Sequence, residues 1–237
     1  MTSDNISPDA PLREKYVFKP RPGSSHHWAL ATLRSRISGA EVLDIGAGAG
    51  FVGRALKGLG AGVLTAVETD ATARADLRAA GYAVVHECVG ELGGRRYDAV
   101  LLLDVLEHMA DPFQMARGIG AWLKPGGVAL ISVPNVAHWS VRLPLLFGRF
   151  DYRSRGILDR THLHFFTRAH FRELLASVKG CQIAGISSSI APAELALPET
   201  KVIGFMLKII APVRRWLARK LPGIFAYQHL AMIKAET

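Results

Sequence analysis

Cysteine is nearly absent from this chain: its 237 residues include only Cys88 and Cys181, with no C-x-x-C pair. Neither a disulfide framework nor a thiolate zinc site fits that usage, and a reducing cytoplasm is the simplest compartment. Long apolar runs are missing too, since no uninterrupted stretch approaches the roughly 20 residues that span a bilayer. The opening MTSDNISPDAPLREKY is polar and lacks the apolar centre of a signal peptide. The expectation is a cytoplasmic protein, soluble or peripheral on a membrane. No repeat or low-complexity tract is visible. Acid is absent from one long segment: nothing between Glu199 and Glu236 carries a carboxylate, whereas Lys201, Lys208, Arg214, Arg215, Arg219, Lys220 and Lys234 are cationic. That segment supplies much of the formal net charge of +9. Positive charge confined to one partly apolar stretch points to a surface helix or a membrane face rather than to nucleic acid.

The chain is 49% hydrophobic and 21% charged, which suits one globular domain with a substantial core. After a loose tail to about residue 15, Ser24 and Ser25 offer N-cap oxygens for a helix that ends near Gly39. Strands are predicted at 41–45, 62–67, 82–85, 99–103 and 128–133, alternating with helices at 50–59, 70–80 and 111–123. A helix at 167–178 and strands at 182–187 and 225–234 follow. This rhythm, with strands apolar on both faces, predicts a parallel sheet covered by helices on each side. Between the last two strands, Val202, Ile203, Phe205, Met206, Ile209 and Ile210 recur at helical spacing. Pro212 then predicts a break before a second short helix over 213–221. Cations beside Trp216 and aliphatic residues suit either a lid on a cleft or an interfacial helix on an anionic membrane.

The chemistry begins at Asp44-Ile45-Gly46-Ala47-Gly48-Ala49-Gly50, where the first strand should turn into a helix. Gly46 and Gly48 permit backbone angles that side chains forbid, and a ligand can lie against a main chain without Cβ atoms. The helix that follows presents its N-terminal amides to that ligand. A pyrophosphate fingerprint would need glycine where Phe51 stands, and no Tyr-x-x-x-Lys pair serves a nicotinamide chemistry. Glu68 closes the second strand, where a carboxylate can accept from both hydroxyls of a ribose.

VLDIGAGAGFVGRAL, AVETD, YDAVLLLDVLEHMADP and LKPGGVALISVPN, in that order, resemble the successive motifs of class I S-adenosylmethionine-dependent methyltransferases. GRFDYRSRGILDRTHLHFFTRAHFRELL and the N-terminal SSHHW resemble a subfamily associated with glycan and surface-polysaccharide biosynthesis. The resemblance implies a Rossmann-like α/β fold: a seven-stranded, mostly parallel sheet with helices on both faces and an antiparallel last strand. It divides the chain into a tail and cofactor-covering helix (1–39), a methyltransferase core (40–190), a basic insertion (191–224) and the final strand (225–237). S-adenosylmethionine is the implied cofactor, held by Asp44, Gly46, Ala47, Gly48, Gly50, Glu68, Asp104 and Val105. One departure from the family lies at Val85-His86-Glu87-Cys88-Val89-Gly90-Glu91, where Cys88 occupies the place of an acid near the adenine. Glu87, Glu91 or a carbonyl would have to compensate.

An alcohol acceptor benefits from a general base, and three groups compete: His138 after the fifth strand, the pair Asp159 and His162, and Asp104 beside the expected methyl position. Phe165 and Phe166 read as core. Asp104, Glu107 and His108 stand at i, i+3 and i+4, one face of a helix. That spacing is similar to the metal-binding E-x-x-E-H of ubiquinone-type O-methyltransferases, although VLEH also occurs in metal-independent relatives, and no metal is assigned. The expected acceptor is a small molecule, foremost a sugar or lipid-linked glycan. A quinone-type, metal-assisted O-methyltransferase and a non-catalytic cofactor-binding relative are the alternatives. Nucleic acid is not expected, because Asp104-Val105-Leu106-Glu107 departs from the Asn/Asp-Pro-Pro-aromatic run of base-amino methyltransferases.

Overall fold

The computed structural model describes residue 18, residues 21–190 and residues 201–236, with the backbone alone over 201–208. The expected tail lies outside the described residues. Seven strands, β1 (Val42–Ile45), β2 (Leu64–Val67), β3 (Val84–His86), β4 (Tyr97–Leu103), β5 (Leu123–Pro134), β6 (Cys181–Ser188) and β7 (Gln228–Ala235), form one sheet. Their order is β3-β2-β1-β4-β5-β7-β6. Strands β1 to β5 pair in parallel, and β7 runs antiparallel to both of its neighbours. The fold is the expected Rossmann-like one. Chain order reverses between β1 and β4, so the crevice outside their carboxyl ends is where an open α/β sheet binds ligand.

Eight helices are described: α1 (Ser25–Leu33), α2 (Phe51–Gly58), α3 (Ala71–Ala79), α4 (Pro112–Gly118), α5 (Trp139–Leu146), α6 (Arg168–Ala176), α7 (Lys201–Lys220) and α8 (Pro222–Phe225). Ser24, Asp70, Asp111 and Thr167 cap α1, α3, α4 and α6 by accepting a backbone N–H three residues on. Alternation along β4 divides the core into two layers. Val100 and Leu102 face a layer with Leu43, Ile131, Phe166 and Phe171, while Ala99 and Leu101 face one with Leu33, Leu56, Leu64 and Leu77. Phe166 is core, as expected. Phe165 instead joins Phe150 and Tyr152 in an aromatic cluster, with ring centroids 5.6 and 6.2 Å away.

Four local expectations are corrected. Pro212 does not break the basic segment, which is one continuous helix from Lys201 to Lys220. The helix expected to reach residue 123 stops at Gly118 and continues as a 3-10 turn, Ile119–Trp122. There a Cβ on Gly120 would collide with the Lys179 carbonyl. The last strand starts at Gln228, because Pro222–Phe225 closes into α8. Finally, α5 went unforeseen, since its sequence WSVRLPLL carries Pro144 and has no regular polar face. No helix among the described residues is long and apolar enough to cross a membrane.

Candidate active site

The glycine turn behaves as its spacing requires. Gly46, Gly48 and Gly50 all have positive φ, at 68°, 53° and 71°, a region where only glycine is unstrained. Gly46 also meets Val105, whose Cγ2 would collide with any added Cβ. Beneath the turn lies Tyr82. Its hydroxyl donates to the buried Asp44 carboxylate, and its ring fills the space that a Cβ on Gly53 would need. Burial pushes the Asp44 carboxyl up to about 7; the Tyr82 hydrogen bond opposes that rise and the Glu68 charge adds to it. Glu68 bridges two backbones: Oε2 accepts from Gly48 N–H at 2.8 Å and Oε1 from Asp70 N–H at 3.0 Å. Each oxygen keeps a lone pair for a further donor.

At the far end of this cradle Glu87, Cys88 and Val89 line the cavity. Glu91 does not; it pairs with His86 at 3.2 Å. On the open side His26 lines the cavity, and Phe18 stacks on both His26 and Phe51 with centroids 5.7 and 5.9 Å away. The SSHHW segment therefore stands beside the cradle.

Asp104 ends β4 in a left-handed conformation, φ 56°, and is the non-glycine residue with positive φ among those described. Such strain costs about 1–3 kcal/mol and persists only where surroundings impose it. Here they do. The Asp104 amide donates to Ser132 O and Oγ at 3.1 and 3.0 Å. Its Oδ1 accepts from Ser132 Oγ at 2.7 Å, and its Oδ2 from Gln228 Nε2 at 2.5 Å. The carboxylate is locked against the cavity wall. This geometry corrects the expected helical face, because only Leu106–His108 forms a turn, a 3-10 one, and Asp104 precedes it.

His162 takes Asp104's place beside Glu107 and His108. The amides of Leu163 and His164 donate to Glu107 O at 2.8 and 3.0 Å, which ties two motifs more than 50 residues apart in sequence. One ligand atom from each of Glu107, His108 and His162 then lies within 4.8 Å of the others. Neither Glu107 oxygen has a hydrogen-bond partner, although the residue is 1% exposed. Burial pushes its carboxyl well above the usual range, with the charges of Asp104 and Asp159 adding to the rise. One carboxylate and two imidazoles suit a borderline divalent ion.

The two histidines differ in which nitrogen is committed. His138 caps α5: its Nδ1 accepts from Ser140 N–H at 3.3 Å and lies 2.7 Å from Ser140 Oγ. A neutral ring then carries its proton on Nε2. Burial and then Arg214 push this imidazole down to about 4. His162 Nδ1 lies 3.0 Å from Ile157 O, so that nitrogen is the donor and Nε2 has the open lone pair. Burial, then His108, lowers its pKa. Asp159, expected to orient His162, instead holds its own turn, accepting from Thr161 N–H and Oγ1 at 2.9 and 2.8 Å. The orienting acceptor is a main-chain carbonyl.

Several residues of the site escaped sequence reasoning. Gly53, a glycine inside α2, was the available sign of Tyr82. Asn135 in the SVPN run is fully buried; it donates to Ala226 O at 2.8 Å and accepts from Ala137 N–H at 3.0 Å. It thereby ties the end of β5 to the segment carrying Tyr227 and Gln228. Tyr227 meets His138 edge-on, centroids 5.7 Å apart. Nothing local in the sequence singles out Gln228, Ser132 or Tyr227.

The glycine turn after β1, the acid after β2 and the sheet order together define a class I S-adenosylmethionine-dependent methyltransferase. The cofactor fits these residues: Gly50 caps α2 with no side chain, which leaves first-turn amides facing the cavity that residues 46–49 line. Residues 24–183 match the family described as methyltransferase domain, and the chain belongs to that family. It is 35% identical over 170 residues to a ubiquinone biosynthesis O-methyltransferase of Xanthomonas axonopodis pv. citri, covering 67% of this chain and 70% of the relative. The enzyme of the same name from Xanthomonas campestris pv. campestris (strain B100) is 32% identical over 142 residues, covering 54% of this chain; the chain spans 56% of its length. The fold is similar to that of magnesium protoporphyrin IX methyltransferase from Synechocystis PCC 6803 with bound SAH (TM-score 0.62, 16% identity, 90% of this chain and 82% of that one). It is also similar to an S-adenosylmethionine-dependent methyltransferase from Mesorhizobium loti (TM-score 0.59, 18% identity, 90% and 98%).

Proposed function

We propose that this chain methylates a hydroxyl oxygen of a small, partly apolar acceptor, with a phenolic hydroxyl on a quinone-type ring as the leading acceptor. One observation carries the reading: a single cavity of about 1460 Å³ runs from the glycine turn past Asp104 to His138, Asp159 and His162. Small-ligand sites usually measure about 300–1,000 Å³, so this one has room for cofactor and acceptor side by side. The bound cofactor supplies an electrophilic methyl group on a sulfonium. Asp44 and Glu68 hold that cofactor, and Asp104, fixed by Ser132 and Gln228, walls the transfer position. His162 Nε2 takes the acceptor's proton while Ile157 holds Nδ1, and His138 donates a hydrogen bond from Nε2. Positioning alone can be worth roughly 7–11 kcal/mol. The relatives' name supports the quinone-type acceptor over the sugar or lipid-linked glycan expected from the 148–175 segment.

A metal-assisted form of the reaction has one observation in its favour, the buried Glu107 carboxylate, which has no hydrogen-bond partner and whose Oε1 lies 4.0 Å from His162 Nε2, beside His108. In that form these three would hold a divalent ion that polarises the acceptor oxygen, and His162 would be a ligand rather than the base. Contact with an anionic membrane is supported by the outer faces of α5 and α7. Leu146 and Phe147 are 80% and 77% exposed, and Trp216 is 57% exposed beside cationic Arg219 and Lys220. On this reading α7 is both lid and interfacial helix.

The test is methyl transfer from labelled S-adenosylmethionine to catechols and to lipid-linked sugars, before and after chelation. Turnover of catechols supports the reading, and its loss on chelation with recovery on added Zn²⁺ or Mg²⁺ selects the metal-assisted form. Turnover of sugars alone would overturn the quinone-type acceptor. Cofactor binding with no turnover would leave a non-catalytic relative. Co-sedimentation with liposomes that ignored anionic lipid would sink the membrane contact.

A further inference from the structure

Asp44, Glu68, Asp70 and Glu87 line the cofactor end of the cavity. The acceptor side carries Asp104, Glu107, Asp151 and Asp159 together with every arginine on the wall (Arg149, Arg153, Arg155 and Arg214), and no lysine lines it. Arg149 is committed to Asp151 at 2.9 Å. Arg153 and Arg155 have no ion-pair partner among the described residues.

These two sit on a turn that is firmly placed. Arg153 N–H donates to Leu158 O at 2.8 Å, and Arg160 N–H donates to Arg153 O at 3.0 Å. Gly156, with φ 93°, brings the turn so close to Tyr227 that an added Cβ would lie 3.1 Å from its hydroxyl. From the opposite wall comes α7, where Ile210, Arg214 and Leu217 line the cavity at i, i+4 and i+7, one helical face. Arg214 acts electrostatically on His138, and Arg153 and Arg155 act on Tyr227. The two rings are 5.7 Å apart, and all three arginines line the cavity that these rings share. Cations gathered in a partly enclosed cleft raise the local concentration of an anion and orient it.

We infer that Arg153, Arg155 and Arg214 form a subsite for an anionic substituent of the acceptor, a carboxylate or a phosphate, that orients its hydroxyl toward the methyl group. The inference rests on the small-molecule acceptor reading above and names a chemical feature of that acceptor.

The test uses the full chain saturated with S-adenosylhomocysteine. Calorimetry compares catechol, 3,4-dihydroxybenzoate and phenyl phosphate, which separates carboxylate from phosphate recognition. The expected result is at least about tenfold tighter binding of one anionic probe than of catechol, weakening as salt rises. That preference should fall toward unity in R153Q/R155Q and in R214Q, and R155K should keep part of it. Equal binding of neutral and anionic probes, no binding of either anion, or a preference that survives the glutamine variants would overturn the subsite. Methyl transfer is scored separately. Turnover of catechol without charge preference refutes only the subsite, and anion preference without turnover of any catechol refutes only the acceptor reading.

Discussion

Replacing Tyr82 with phenylalanine isolates a single hydroxyl that the sequence never advertised. The ring would still fill the space under Gly50 and Gly53, while Asp44 would lose the hydrogen bond that favours its ionised form. In the wild type the Asp44 carboxyl stands at about 7, raised mainly by burial and further by Glu68, and lowered by Tyr82. A hydrogen bond to a charged group contributes about 1.5–3 kcal/mol, or about one to two pH units at 1.36 kcal/mol each. Tyr82→Phe should therefore move the Asp44 midpoint from about 7 to about 8–9. The α-ammonium that S-adenosylmethionine and S-adenosylhomocysteine share favours an ionised Asp44. At pH 7 the ionised fraction would fall from about one half to between about one tenth and one hundredth, and the apparent Kd would rise about five- to fiftyfold. Calorimetric titration of S-adenosylhomocysteine from about pH 6 to pH 8.5 reads the effect directly. Both proteins should lose affinity as pH falls, with the variant's curve displaced to the alkaline side. A variant that kept the wild-type midpoint, with an unchanged melting profile, would refute the role given to the hydroxyl.

Other outcomes follow from the same geometry. Gly53→Ala places a methyl group against the Tyr82 hydroxyl and should cost about 1–3 kcal/mol in denaturant unfolding while weakening cofactor binding. His162→Gln should lower kcat by about 10²–10⁴ at intact cofactor affinity, the range for a lost general base. His138→Gln, which keeps a donor, should cost less than about tenfold, and the reverse ranking would exchange their roles. His229 is fully buried and stacked on Phe171, and burial, then Arg168, holds its imidazole down to about 4 from an ordinary 6.5. Its contribution to stability is complete above pH 6.5 and is lost as pH falls toward 4, because only the unfolded chain takes up the proton in that window. The loss is roughly 3 kcal/mol. His138 titrates across the same window, and His229→Leu should reduce the pH dependence of stability between pH 6.5 and 4, read in urea melts, by roughly 3 kcal/mol.

The cofactor half of this site was legible because its determinants are local. Alternate glycines after a strand encode a turn by the angles they permit, and the acids stand at the ends of strands whose apolar runs are visible, Asp44 within β1 and Glu68 just after β2. The acceptor half is assembled otherwise. His162 reaches Glu107 through two amides on Glu107 O, His162 is oriented by the Ile157 carbonyl, and Asp104 is fixed by Gln228 from a strand 124 residues later. Main-chain acceptors carry no residue signature, and long-range partners carry no spacing, so neither can be read from a motif. Reading Asp159 as the partner of His162 gave the orienting role to a carboxylate, whereas the Ile157 carbonyl holds Nδ1. Pro212 failed as a helix breaker: a proline removes one amide and crowds one carbonyl, yet Lys201–Lys220 runs through it as one helix. On the acceptor reading proposed above, acceptor choice in this chain lies where sequence periodicity is silent, in the turn at 153–158 and in α7. Arg153, Arg155 and Arg214 are the residues whose substitution should change which acceptor is used while leaving the glycine turn's hold on the cofactor intact.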